Sequence, residues 1–129
     1  MNTDLSVLII DDDDAMRYGL GRELKKCGCR ISEKSSVEDA LTDLETNHYD
    51  IVFSDMRFPC GMDGEDLLAI VVDKYPGTHM ILVSCSMDSQ RTTLLMSKGA
   101  SLCMQKPVFE QQCRTAISTL LSDSDLKAA

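Results

Sequence analysis

Several apolar runs in this chain stop on residues able to take part in group transfer. Leu5–Ile10 is followed by Asp11-Asp12, Ile51–Ser54 by Asp55, Met80–Val83 by Ser84, and Leu102–Gln105 by Lys106-Pro107. If the runs are strands of one parallel sheet, the crevice beyond their carboxyl ends is where chemistry belongs. Carboxylates held together there repel one another and raise each other's pKa. A divalent cation relieves that repulsion, and an oxygen-only ligand set favours Mg²⁺, which also grips phosphate. Mg²⁺ and the Lys106 ammonium would surround the crevice with positive charge. Phosphoryl transfer needs mainly such positioning and charge neutralisation. A carboxylate is an adequate nucleophile for it and would become an aspartyl phosphate.

The elements that must position these groups alternate in period. Leu5–Ile10 reads as a strand buried on both faces. From Asp14 to about Cys27, Met16, Leu20, Leu24 and Cys27 recur at helical spacing, with Asp13 or Asp14 as cap and Gly28 where the helix stops. Cys29–Lys34 is a weaker strand. Ser36 opens a helix through about Thr46, with Val37, Ala40, Leu41 and Leu44 on one face. Ile51–Ser54 is the third strand, and Arg57–Gly64 a loop marked by Pro59, Gly61 and Gly64. A helix from about Glu65 to Lys74 ends at Pro76-Gly77. Met80–Val83, a helix Asp88–Lys98 closed by Gly99, the short strand Leu102–Gln105 and a helix Val108–Leu121 complete the pattern. Strand–helix alternation of this kind predicts an α/β fold: a five-stranded parallel sheet, doubly wound, with helices on both faces and right-handed crossovers. Residues 1–121 form one domain, and 122–129 are expected to be a tail or the start of a linker.

Composition narrows the classes. With 129 residues there is room for one domain and a core that needs no disulfide. A net charge of −8 argues against direct nucleic-acid binding. The six cysteines, Cys27, Cys29, Cys60, Cys85, Cys103 and Cys113, include no CxxC pair, so they predict reduced thiols rather than a zinc site. No run reaches the roughly 18 apolar residues of a membrane span, and no signal-peptide region follows Met1, which together predict a cytoplasmic protein.

In order and spacing, these residues resemble the receiver domains of two-component response regulators, the CheY-like superfamily. The resemblance rests on Ile9-Ile10-Asp11-Asp12, on Asp50–Asp55 with Pro59 and Asp63-Gly64, on Val83-Ser84, and on Gly99-Ala100 leading to Lys106-Pro107. It runs from Leu5 to about Leu121. It implies a flavodoxin-like strand order of 2-1-3-4-5, with Asp55 as phosphoacceptor. By the same resemblance Asp12 binds Mg²⁺ directly, Asp11 binds it through water, and Asp55 and the Arg57 backbone carbonyl complete the protein ligands. The Ser84 hydroxyl bonds the phosphoryl oxygen, Lys106 pairs with the phosphate or with Asp55, and the peptide before Pro107 is cis. Arg57 is common in regulators of the sigma-54 activator (NtrC-like) type. The implied partners are a sensor histidine kinase or phosphotransfer protein, an output domain beyond the C-terminus, and a second copy through the fourth helix, fifth strand and fifth helix. The domain is then a phosphoacceptor that switches an output surface, not an enzyme in the ordinary sense.

Three features depart from the family pattern, one of them Arg57, which places a charge over the pocket mouth. Cys103 stands three positions before Lys106, where the family often has an aromatic residue that swings inward on activation. Its small side chain predicts a switch carried instead by the backbone of 84–88 and by repacking of Met87 and Met104. The loop Pro59–Gly64 is one residue longer than the commonest form, through Cys60-Gly61.

Blander readings apply to the remaining residues. Asp13 and Asp14 are helix-start residues, favoured by the helix dipole, rather than ligands. His48 and His79 are structural or surface histidines. Met80, Met96 and Met104 are core or face residues, and Cys85 is a spacer at the pocket rim. One rival function is a phosphatase of the haloacid-dehalogenase type, using Asp11 and Asp13 or Asp12 and Asp14. It lacks a later acidic pair, and the chain is short for that fold. The other is a pseudo-receiver that binds partners without being phosphorylated, against which the full acid–Ser–Lys set argues. No glycine-rich loop follows the first strand, which sets aside a nucleotide-binding Rossmann unit.

Overall fold

The computed structural model describes residues 4–122. Ten elements alternate without exception: β1 (Ser6–Ile10), α1 (Asp14–Lys26), β2 (Arg30–Lys34), α2 (Val37–Leu44), β3 (Ile51–Asp55), α3 (Gly64–Lys74), β4 (His79–Ser84), α4 (Ser89–Ser97), β5 (Leu102–Gln105) and α5 (Glu110–Ser122). The strands form one parallel sheet in the order β2-β1-β3-β4-β5. The expected fold class, order and element types are all present.

The sheet separates two apolar cores. Side chains alternate across a strand, so Val7 and Ile9 point to one face, and Leu8 and Ile10 to the other. Ile51 and Phe53 join the first set, with Ile81 and Val83, under α1 and α5. Val52, Met80 and Leu82 join the second, under α2, α3 and α4. The three central strands are therefore apolar without a polar face, the signature of a parallel sheet covered on both sides. Cys27, Cys29 and Cys113 are buried as small apolar groups in the first core.

Side-chain caps set where the helices begin. The Met16, Asp39 and Arg91 amides donate to Asp13 Oδ1, Ser36 Oγ and Asp88 Oδ1 respectively. At α3 Asp63 and Asp66 cap reciprocally, each accepting from the other's backbone amide. The expected boundaries shift at several places for such reasons. Ser36 and Asp88 are caps rather than helical residues. The last helix starts at Glu110 rather than Val108, because Gln112 Oε1 accepts the Phe109 amide and closes the first turn there. It runs through Ser122, one residue beyond the boundary expected at 121; residues 123–129 of the expected tail lie outside the described residues. β4 begins at His79, whose amide pairs with the Asp50 carbonyl, and it takes in Ser84. Asp55 belongs to β3 itself.

Met104 does not share a core with Met87. It packs against the α1–α5 core with Leu102, whereas Cys103 and Met87 pack against the α2–α3–α4 core. One-residue alternation along β5 separates them. Met96 is largely exposed on α4, while Met80 is buried.

Candidate functional site

Strand register brings the chemistry to one level. Ile10 lies beside Ser54, Asp55 beside Val83, and Ser84 beside Gln105. The next residues extend the ladder: the Asp11 amide donates to the Lys34 carbonyl, Met56 to Val83, and Lys106 to Ser84. Asp11, Asp55, Ser84 and Lys106 thus share the carboxyl edge of the sheet. This is also where the central strand order reverses direction, between β1 and β3.

Lys106 sits between two carboxylates. Its Nζ donates to Asp11 Oδ2 at 2.8 Å and lies 3.4 Å from Asp55 Oδ2. The closer partner is Asp11, where the sequence pointed to Asp55. Asp11 is buried, and its other oxygen accepts the Asp13 amide at 2.9 Å. Asp55 Oδ1 accepts the Met56 amide at 2.8 Å. Asp12 is exposed, and carboxylate oxygens of Asp11, Asp12 and Asp55 all lie within 4.8 Å of one another. Asp13 and Asp14 stand apart from that group: Asp13 caps α1 and Asp14 pairs with Arg17.

The electrostatics follow from sharing one ammonium. Burial pushes the Asp55 carboxyl above the usual carboxylate range; Lys106 pulls it down, but Asp11 adds like-charge repulsion. For Lys106, burial pulls the ammonium down, yet Asp11 and Asp55 together outweigh it and hold its pKa above the ordinary value. The ammonium is thus secured by two carboxylates, while Asp55 has only a share of it.

The donor set fits a hard divalent cation. Only carboxylate oxygens are offered, and opposite ligands around one Mg²⁺ lie about 4.2 Å apart. Adjacent ligands lie closer, at about 2.9 Å, so oxygens within 4.8 Å of one another would draw in by up to about 2 Å to close on one ion. The three carboxylates are an acidic cluster suited to Mg²⁺.

Ser84 is buried, and its Oγ accepts the Ser86 amide at 3.2 Å, a bond that leaves the hydroxyl proton uncommitted. The Lys106–Pro107 peptide is cis. Arg57 is exposed in the β3–α3 loop. A Cβ on Gly64 would run into the Asp55 carbonyl and the Met56 Cα, so glycine lets the start of α3 lie against the end of β3. A cavity of about 260 Å³ opens beside Asp55 and Lys106, bordered by Ala15 and Gly19 of α1 and by Phe109.

Sequence reasoning missed Arg17. Its buried guanidinium donates to the Asp11 carbonyl at 2.7 Å, to Glu33 at 3.1 Å and to Asp14 at 2.6 Å. It fixes the main chain from which Asp11 projects. The signal was present: Arg17 lies on the apolar stripe that continues through Leu20 and Leu24, where a charge needs buried partners. His79 and Ser101 pair at the opposite end of β4, and His48 is exposed, so neither histidine approaches the site.

A doubly wound sheet carrying an acid cluster and a lysine at its switch point defines a phosphoacceptor signalling module. The chain belongs to the response regulator receiver domain family, whose profile matches residues 7–118. It is a CheY-like phosphoacceptor receiver domain, related to NtrC- and DctD-type regulators. It is 32% identical over 104 residues to the DNA-binding transcriptional regulator NtrC of Proteus hauseri, covering 79% of this chain and 21% of that protein. It is 34% identical over 102 residues to the C4-dicarboxylate transport transcriptional regulatory protein DctD of Rhizobium meliloti, covering 79% and 22%. The sensor kinase CckA of Brucella abortus is 32% identical over 129 residues, covering 95% and 14%. The chain thus spans about a fifth, or less, of the length of these relatives. Among solved structures, a response regulator receiver domain protein from Clostridium thermocellum superposes with TM-score 0.82 at 26% identity, over 92% of this chain and 95% of that one. The BeF3-activated DrrB receiver domain gives 0.80 at 20% identity, over 92% and 98%.

Membership in this family overturns the haloacid-dehalogenase alternative, and the second acid of each pair that it required, Asp13 or Asp14, is spent on capping α1 or holding Arg17. The kinship with sensor kinases places the chain in histidine-kinase phosphorelay signalling in general terms. Among the described residues no helix is long and apolar enough to cross a membrane.

Proposed function

We propose that Asp55 is the phosphoacceptor and that Asp11, Asp12, Asp55 and the Arg57 carbonyl hold Mg²⁺, Asp12 directly and Asp11 through water. The observation that carries this reading is the placement of Asp55 at the end of β3, within reach of both Lys106 and the acidic pair. When bound, Mg²⁺ would neutralise the phosphoryl oxygens and the crowded carboxylates. The chain's own groups do the rest. Asp55 Oδ1 is fixed by the Met56 amide, which aims the carboxylate along the sheet edge. A carboxylate oxygen attacks the phosphorus of a phosphoimidazole; the new O–P bond forms as the N–P bond breaks, and the imidazole leaves and is protonated from solvent. Lys106 faces the charge that develops on the phosphoryl oxygens. The Ser84 proton is available to the same group, so the hydroxyl reports phosphorylation to the loop after β4.

Burial of Asp55 serves this role, because a carboxylate poorly solvated in its resting state loses little water on being esterified. The phosphate donor is a phosphohistidine on a sensor kinase or phosphotransfer protein. An output domain beyond residue 129, a dimer through α4, β5 and α5, and a cytoplasmic location complete the reading. The test is intact-mass measurement after incubation with Mg²⁺ and acetyl phosphate. Wild type should gain one phosphoryl group and Asp55→Asn none; an Asp55→Asn protein that gains as much phosphate sinks the assignment.

A further inference from the structure

The β3–α3 loop, residues 56–63, carries Arg57, and by the resemblance to receiver domains it is one residue longer than the commonest form. Its two ends are held differently. At the β3 end the Met56 amide donates to the Val83 carbonyl, and the Met56 carbonyl accepts the Gly64 amide. Farther along, the Met62 amide donates to Glu38 Oε2 at 2.8 Å, a contact with a side chain 24 residues away in the first turn of α2. Phe58 and Met62 pack against the core beneath α2 and α3.

The loop conformation is fitted to that carboxylate. Gly61 has φ +79°, in the left-handed region, and this turns the following amide toward α2. A Cβ on Gly61 would lie 2.5 Å from Glu38 Oε2 and 3.2 Å from its Cδ. Glycine is thus required for its backbone angle, and it also leaves room for the carboxylate at its observed place. The bond from Met62, with one from the backbone of Glu38 itself, keeps the Glu38 carboxyl below the usual range. A glutamate early in a helix also has a plain use, because it complements the helix dipole. The dipole alone does not account for a glycine in the left-handed region packed against it, nor for an amide from a distant loop.

We propose that Glu38 is a positioning residue: its carboxylate pins Gly61 and Met62 and so sets the path of the lengthened loop that presents the Arg57 main chain to the acidic cluster. Without the Met62–Glu38 bond, residues 59–61 would be held only by the packing of Phe58 and Met62 on either side. Anchoring the far side from α2 divides the loop and limits the positions open to the Arg57 carbonyl. The inference rests on the metal reading given above and adds to it a residue from an element that holds no ligand.

The experiment is a Mg²⁺ titration followed by amide NMR at Asp12, Met56 and Asp55. It compares wild type, Glu38→Ala, Glu38→Gln and Asp12→Asn, each first shown to be folded by circular dichroism. Gln keeps an oxygen able to accept from Met62 but loses the charge, so it separates positioning from the electric field of a nearby carboxylate. Glu38→Ala should weaken Mg²⁺ binding by about three- to tenfold, the scale of one hydrogen bond. Glu38→Gln should stay within about twofold of wild type. The Met62 amide should exchange faster in Glu38→Ala alone, before any metal is added. Gly61→Ala should weaken binding in the wild-type background and weaken it less in Glu38→Ala, where the carboxylate its Cβ would meet is gone. A Glu38→Ala protein that titrates like wild type overturns the inference, as does a Glu38→Gln protein that falls as far as Glu38→Ala. Asp12→Asn keeps the two readings apart. A normal wild-type titration that Asp12→Asn abolishes leaves the metal site standing whatever Glu38 does. Wild-type signals that ignore Mg²⁺ overturn the metal reading and this inference with it.

Discussion

Lys106 and Cys113 show two opposite uses of burial. Lys106 is kept charged inside the protein because two carboxylates face it. Among the described residues Cys113 has no such partner, and burial pushes its thiol up to about 12, with Cys27 and Glu23 adding to the shift. The sign of the consequence is definite. An acid whose folded pKa exceeds its unfolded value, about 8.5 for a thiol, binds more protons folded than unfolded. Its contribution is intact below about pH 8.5 and is lost at up to roughly 1.4 kcal/mol per pH unit as pH rises from there toward the folded value. Between about pH 9 and 11, denaturant stability of wild type should therefore fall more steeply with pH than that of Cys113→Ala. The variant will be less stable at neutral pH, so the slopes are what is compared; equal slopes would show that Cys113 does not hold a proton in the fold. Asp11, Asp55, Ser84 and Lys106, which the sheet brings to one edge, were legible because each directly follows an apolar run, and a run can be read without knowing its neighbours. Arg17 and Glu38 were not, since the meaning of each lies in a backbone group that only folding brings near: the Asp11 carbonyl for one and the Met62 amide for the other.

At the scale of elements, the expected link between site and surface runs through the loop after β4 and the short strand β5. Ser84 lies within β4, and its hydroxyl oxygen already accepts the Ser86 amide, so movement of the hydroxyl toward a phosphoryl group must disturb that turn. Cys103 is half-buried on the same side of the sheet as Met87, and Met104 is on the other. Repacking can therefore pass from the 84–88 turn to Met87 and Cys103, but not straight to Met104, contrary to what the sequence suggested. Ser84→Ala is expected to accept beryllofluoride yet lose the change in hydrogen exchange over residues 85–105, whereas Cys103→Ala should retain it. A Cys103→Ala protein that binds the mimic and loses the change would make Cys103 the switch. Element types were readable from period alone and the parallel sheet from alternation, because a parallel sheet forces crossovers; the strand order came from the resemblance to receiver domains. Element ends were less so: the start of α5 depends on a Gln112 side chain bonding back to Phe109, a choice that apolar spacing does not encode.

At the scale of the whole molecule, the cavity beside Asp55 matters for which donors can reach it. Gly19 is exposed on α1, and a Cβ there would meet nothing within 4 Å, so a larger side chain can be added without displacing the core. Gly19→Phe should leave phosphorylation by acetyl phosphate within about twofold of wild type and slow transfer from a phosphohistidine protein by about tenfold or more, the cost of roughly 1.4 kcal/mol at the encounter. Equal slowing with both donors would mean that the substitution harms the site itself.

The sheet that separates the two cores has a consequence for how such a protein can diversify. Among the described residues, those buried under α1 and α5 form one core cluster and those under α2, α3 and α4 another, with the sheet between them. Substitutions on opposite sides are then close to independent in their energetic effects. The packing on one side can drift while that on the other is kept. After gene duplication, paralogues could become insulated from each other's signals through changes confined to one half of the molecule, with the acid cluster at the rim unaltered.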